Sequence, residues 1–210
     1  MSLNHMSTLE RLFGTPQGPF QTCGKPTVDC GKSTVDSVEH AIVSAMPVPS
    51  VIPIVHEAGY HTDTIGTYAG GQFLANFRGA CRGEPGPRLN EEVHWYAYVH
   101  RFDDDGTHVS SEFRFVTTTP PDAVHPGPEE RERGERELAA LLDTLDGREY
   151  GDIAIRLFRV EHDGIVFGLI DETEAYDDGD DEDEEDQDGW VELYPEGLGF
   201  HAPWDGEYDT

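Results

Sequence analysis

The sequence predicts an α+β protein, a mainly antiparallel sheet built from hairpins with one principal helix packed on one face. Three observations lead there. The segments "VHWYAYVHRF" and "THVSSEFRFVT" are two long alternating runs joined by "DDDG", and "DIAIRLFRV" and "IVFGLID" are joined by "EHDG". An Asp-Gly pair between alternating runs is a hairpin signal, because the turn needs positive φ at its centre. A leucine stripe at helical spacing, Leu138, Leu141, Leu142 and Leu145, occurs in one segment, "EERERGERELAALLDTLDG". Strands before and after a single helix give the α+β class.

The elements follow in chain order. Residues 1–45 hold short apolar clusters and a repeat, "CGKPTVDCGKSTVD", and are expected to be a low-complexity or disordered leader, or the product of a misplaced start codon. The helical hint in this stretch is "STVDSVEHAIVSAM", with Val35, Val38, Ile42 and Ala45 near helical spacing and Ser33 as a cap. A single ordered domain is expected over 46–210. It opens with "TIGTYA" and "GQFLANFRG", punctuated by Gly70 and Gly71. The Asp-Gly hairpin follows, with Trp95, Ala97 and Val99 on one face, expected in the core, and His94, Tyr96, Tyr98 and His100 on the other. After the Pro-rich linker comes the helix, with Gly147 as its stop. The second Asp-Gly hairpin leads into residues 171–188, which hold 13 acidic residues and no basic one. That span is expected to loop out, disordered.

The end of the chain, "WVELYPEGLGFHAPWDGEYDT", differs in kind from the acidic run before it. Tyr194, Leu198, Phe200, Trp204 and Tyr208 would each forgo roughly 1.5–3 kcal/mol if left exposed. Residues 190–210 are therefore expected to form an ordered clasp over the sheet.

Charge constrains partners. Asp and Glu number 43 against 14 Lys and Arg, for a net charge of −29; without the run's 13 acids it is still −16 (−29 + 13). Such a surface repels phosphate backbones and anionic lipid, so neither nucleic acid nor membrane is an expected partner. The longest early apolar run, "AIVSAMPVPSVIPIV", is interrupted by three prolines and is too short to span a bilayer. Three cysteines, Cys23, Cys30 and Cys81, with no secretory signal, suit a reduced cytoplasm. Oligomeric state is not fixed by any of this.

Several motifs carry less than they suggest. "GKST" at 31–34 has the tail of a phosphate loop, but Pro26 stands where its first glycine belongs. In "HEAGYH", His56 and His61 are five apart rather than four, and Gly59 disfavours the helix that would align them on zinc. The acidic run lacks calcium-loop spacing. No metal or cofactor is called for. Two constellations remain as candidates. His94, Tyr96, Tyr98 and His100, with Trp204, form a polar-aromatic set suited to ligand binding. His100, His201 and Asp205 supply imidazole and carboxylate for acid–base chemistry.

The stretches "VIPIVHEAGYHTDTIGTYAGGQFLA", "REYGDIAIRLFRVEHDGIVFGLIDE" and "WVELYPEGLGFHAPWDGEYDT" resemble a group of actinobacterial proteins labelled formate hydrogenlyase regulatory protein, over about Val51 to Thr210. The resemblance implies a regulatory role and transfers no site residue. Taken with the charge, it leads to the expectation of a non-enzymatic cytoplasmic regulatory or interaction protein that binds a basic partner or a small ligand. A narrower form is an immunity-type inhibitor of a cationic toxin. The alternative is a small hydrolase or isomerase using the His100, His201 and Asp205 set.

Overall fold

The computed structural model describes residues 46–83, 91–121, 123, 125–175 and 189–210. The CGKxTVD repeat, "GKST", Cys23 and Cys30 lie outside them, as does most of the acidic run. The chain divides into units 1–41 and 42–210, and everything below concerns the second.

Eleven strands and one α-helix are present among the described residues. The strands are β1 (Ile52–Ile54), β2 (Ile65–Tyr68), β3 (Gly71–Ala80), β4 (Val93–Phe102), β5 (His108–Thr119), β6 (Glu149–Tyr150), β7 (Ile153–Ile155), β8 (Phe158–His162), β9 (Ile165–Asp171), β10 (Trp190–Tyr194) and β11 (Leu198–His201), with α1 (Pro128–Leu142) between β5 and β6. They build a five-stranded sheet ordered β5-β4-β3-β2-β6, a four-stranded sheet ordered β11-β10-β9-β8, and the pair β1-β7. Every ladder between these strands is antiparallel. The described residues are mainly antiparallel sheet with a single α-helix, and they are more β than α+β suggests.

Local chemistry accounts for the turns. Asp163 and Gly164 both have positive φ, 52° and 75°, as a two-residue hairpin turn between β8 and β9 requires. Gly127 and Pro128 open α1, with Glu129 and Glu130 in the first turn where the helix dipole favours acids. The helix ends at Leu142 with Asp143 as its cap. Leu145, read from the sequence as helical, lies in the turn beyond it and is buried there.

Two cores flank the five-stranded sheet. One face meets α1 through Phe73, Ala75, Ala97, Val99, Leu141 and Leu142. The opposite face meets the four-stranded sheet, where Tyr96, Tyr98 and Phe102 pack with Phe167, Leu169 and Phe200. This second layer corrects the expectation of one sheet under one helix. The segment "DIAIRLFRV" does not form one strand: it breaks at Arg156 and Leu157, β7 pairing with β1 and β8 with β9. The hairpins after it supply the second sheet. Near the end of the chain, Gly199 and Asp209 exchange backbone hydrogen bonds of 2.9 Å, and Val55 N–H donates to Gly206 C=O at 3.1 Å.

Candidate functional site

The β4 face singled out above lies in the intersheet core. Tyr96 and Tyr98 are 2% and 0% exposed and His100 is 1% exposed, so they do not line an open pocket. Both faces of β4 are buried because α1 covers one and the four-stranded sheet the other. His100 Nδ1 shares a 2.6 Å hydrogen bond with Ser111 Oγ, while Nε2 is sealed without a partner. The ring touches Tyr98, Phe113, Phe158 and Phe167. Burial first, then neighbouring His108, pushes its pKa down to about 3, so this imidazole is neutral. His94 Nδ1 lies 3.1 Å from Thr118 Oγ1.

His201 stands elsewhere. Its ring stacks on Trp190 at 5.6 Å, and Nε2 meets Asp209 Oδ2 at 3.1 Å. Asp205 instead accepts from Glu207 N–H at 3.1 Å. Trp204 has a φ of +59° and packs on the intersheet core. The set His100, His201 and Asp205 shares no contact, and the carboxylate beside His201 is Asp209.

What the fold does bring together is a polar island on the inner sheet face, around Glu196. Asn76 and Arg78 sit on β3 opposite Tyr98 and Tyr96 in register, and Glu196 reaches them from the turn between β10 and β11. Glu196 Oε1 accepts from the Tyr98 hydroxyl and, at 3.5 Å, from Asn76 Nδ2. Glu196 Oε2 and Arg78 Nε are buried without hydrogen-bond partners. Arg78 Nη2 donates to His61 Nδ1. Burial raises the Glu196 carboxyl to about 7, opposed by a backbone N–H, Arg78 and Asn76. Burial, then Arg78, lowers the His61 pKa, with Glu57 opposing. The sequence signal for this island was polar residues at inward positions of a strand, Asn76 and Arg78 two apart after Leu74. The glutamate of a "YPEG" turn gave none.

His61 also faces outward, onto a cluster of rings. Tyr60 and Tyr208 lie 6.5 Å apart with planes 17° off parallel. The His61 ring stands edge-on to both, 4.4 Å from Tyr60 and 6.3 Å from Tyr208. The Tyr208 hydroxyl donates to Glu57 Oε2 at 2.5 Å, and burial together with that bond pushes its pKa up to about 12.

A third feature is an open groove of about 940 Å³ lined by Val48, Asp171, Glu172, Thr173, Glu174 and Gly189. The Glu172 pKa is raised by burial, then by Glu192 and Asp171, against Arg159 and a Tyr194 hydrogen bond. The groove lies where the chain leaves for and returns from residues 176–188, which carry ten of the run's acids. Among the described residues, no three His, Cys, Asp or Glu side chains converge as a metal site, and no helix is long and apolar enough to cross a membrane.

Among the described residues the fold is a mainly antiparallel β architecture of two packed sheets with one α-helix, in a chain of net charge −29. Comparison with protein-family models, curated proteins and solved structures found no match in any of the three.

Proposed function

We propose that the protein is a non-enzymatic binding protein whose acidic surface captures a basic partner, with the groove at Asp171, Glu172 and Glu174 as the anchoring point. One observation carries this reading. Burial, and after it the neighbouring carboxylates of Glu192 and Asp171, raise the pKa of Glu172, so a cation placed there offsets the cost of a partly buried negative charge and relieves part of that repulsion. Residues 176–188 add ten more acids to a chain of net charge −29, and a field of that sign speeds encounter with a positively charged partner. A regulatory or immunity-type role is compatible with such capture. The hydrolase reading loses support because His100, His201 and Asp205 do not meet.

The test is titration with a lysine-only basic peptide at low and physiological salt. Asp171→Asn/Glu172→Gln/Glu174→Gln is compared with Glu129→Gln/Glu132→Gln/Glu135→Gln, which removes three charges from α1. At about 0.2–1 kcal/mol for each exposed pair, the groove variant is expected to bind roughly tenfold more weakly, and the helix variant little differently from wild type. Equal losses in both would mean that only overall charge matters and that the groove is no site.

A further inference from the structure

We infer that the outer edge of β5 pairs with the same edge of a second copy of this chain, antiparallel about a twofold axis at Phe113. Among the described residues β5 closes one side of the five-stranded sheet, with β4 on its inner side and no strand on the other. It is twelve residues long, whereas the other outer strands of the two larger sheets, β6, β8 and β11, have two, five and four. An open edge presents unpaired N–H and C=O groups, and proteins ordinarily keep such edges short, bulged or charged. Here the ladder with β4 shifts register near both ends, between Trp95 and Tyr96 and between Arg101 and Phe102. The stretch between, Ser110 to Phe115, runs without a break. Beyond it, the Val116 C=O accepts from Arg133 of α1.

Side chains choose the occupant. With Phe113 opposite itself, Glu112 faces Arg114 of the copy and Arg114 faces its Glu112, so two opposite-charge pairs form. Centring the pair on Glu112 or Arg114 instead would set like charges opposite each other. Both side chains are accessible, 38% and 50% exposed, and they lie on one face, since Arg114 Nη2 is 2.7 Å from Glu112 Oε1. A carboxylate accepts several donors, so Glu112 can take the copy's arginine while keeping its own and Arg101 at 3.6 Å. The same register sets Ser111 opposite Phe115 and makes Val109 a diagonal neighbour of Phe115 in the copy. These two apolar side chains are 62% and 56% exposed, and the pairing brings them together.

Net charge opposes association. Each copy carries −29, and salt shortens the reach of that repulsion to about 8–10 Å at 0.1–0.15 M ionic strength. Backbone hydrogen bonds and apolar contacts survive the screening, so dimerisation strengthens as salt is added. Capture of a basic peptide at the acidic groove weakens with salt, and the two proposals are told apart by that sign.

The test is sedimentation velocity of the full chain at about 0.05 M and about 0.5 M NaCl. A monomer–dimer equilibrium is expected, roughly tenfold tighter at the higher salt, with nothing larger than a dimer because an isologous contact closes on itself. At about 0.15 M salt, Glu112→Lys should weaken the dimer at least about tenfold although it lowers the net negative charge, and Arg114→Glu should weaken it as much. Mixing these two variants should restore a dimer containing one of each, because in it every base again faces an acid. Phe115→Thr, which leaves charge unchanged at an exposed position, should weaken the dimer about threefold. A monomer at both salts, a dimer that loosens as salt rises, or charge variants that fail to complement while each keeps the wild-type circular dichroism would overturn the assignment.

Discussion

Glu196→Gln is expected to stabilise the protein above neutral pH and to do almost nothing in acid. The wild-type carboxyl rises from its ordinary 4.5 to about 7 in the fold, because Oε2 is sealed without a partner and Arg78 is not close enough to bond it. A group with a raised folded pKa binds its proton more tightly when folded. Its contribution is therefore fully present below about 4.5 and is lost as pH rises through about 7. At ~1.4 kcal/mol for each pH unit, the interval from 4.5 to about 7 amounts to roughly 3 kcal/mol. Glu196 is half-buried as a whole although its Oε2 is sealed, and because the turn that carries it can relax towards solvent when the carboxyl ionises, 3 is an upper figure.

Glutamine reproduces the protonated acid in shape and charge, and its carbonyl still accepts from Tyr98. Urea unfolding followed by tryptophan fluorescence, at pH 4 and pH 8, gives both stabilities. The variant should exceed wild type by about 2 kcal/mol at pH 8 and match it within error at pH 4. Titration of the many surface acids is common to both proteins and cancels in the difference. A difference that does not change with pH would show that Glu196 ionises freely in the fold, and the account of its burial would be wrong.

His100 has the opposite sign. Its folded pKa falls to about 3, so its stabilising contribution is present above about 6.5 and is lost as pH drops towards 3. His100→Leu should cost about 1 kcal/mol at neutral pH for the lost Ser111 hydrogen bond, and that deficit should shrink or reverse near pH 4, measured by the same unfolding assay. Ser111 is not orphaned by the change, since His108 Nε2 also lies 2.8 Å from its hydroxyl. Gly134→Ala sets two effects against each other. Alanine gains about 1 kcal/mol in helix propensity, but its Cβ would stand 2.3 Å from the Phe77 ring, and overpacking costs about 1–3 kcal/mol. A net loss of about 1 kcal/mol is expected, absent when Phe77→Leu is combined with it in a double-mutant cycle; a more stable single variant would mean that the ring swings aside freely.

The parts of this fold that were legible in the sequence are those whose signal is local. The Asp-Gly turn at 163–164 announces the pairing of β8 with β9, and the leucines of α1 announce a helix with one apolar face. What the sequence hid is the second layer. Alternation along β4 separates its two faces but cannot say what covers each. Tyr96, Tyr98 and His100 suit a ligand-facing platform as well as they suit a core, since a tyrosine offers an apolar ring and a polar tip. The decision came from Phe167, Leu169 and Phe200, which lie on other strands and fill the space above. The same distance effect governs the sites. Glu196 is an unremarked turn residue until Asn76, Arg78 and Tyr98 close around it, and its raised pKa belongs to that enclosure rather than to the tetrapeptide "YPEG". His61 illustrates the point from the other side. Zinc spacing was the only reason to notice it in the sequence, and that reason fails. Its place arises from Arg78 beneath and Tyr60 and Tyr208 at its flanks, three residues brought there by β3, the 56–64 loop and the end of the chain. A position that serves as both the neutral floor of a ring cluster and the partner of a buried guanidinium couples the surface to the Glu196 island, so Arg78→Met should disturb both at once. It should unseat the His61 ring, seen as a changed imidazole resonance. It should also raise the Glu196 pKa further, because Arg78 is one of the groups that now hold it down.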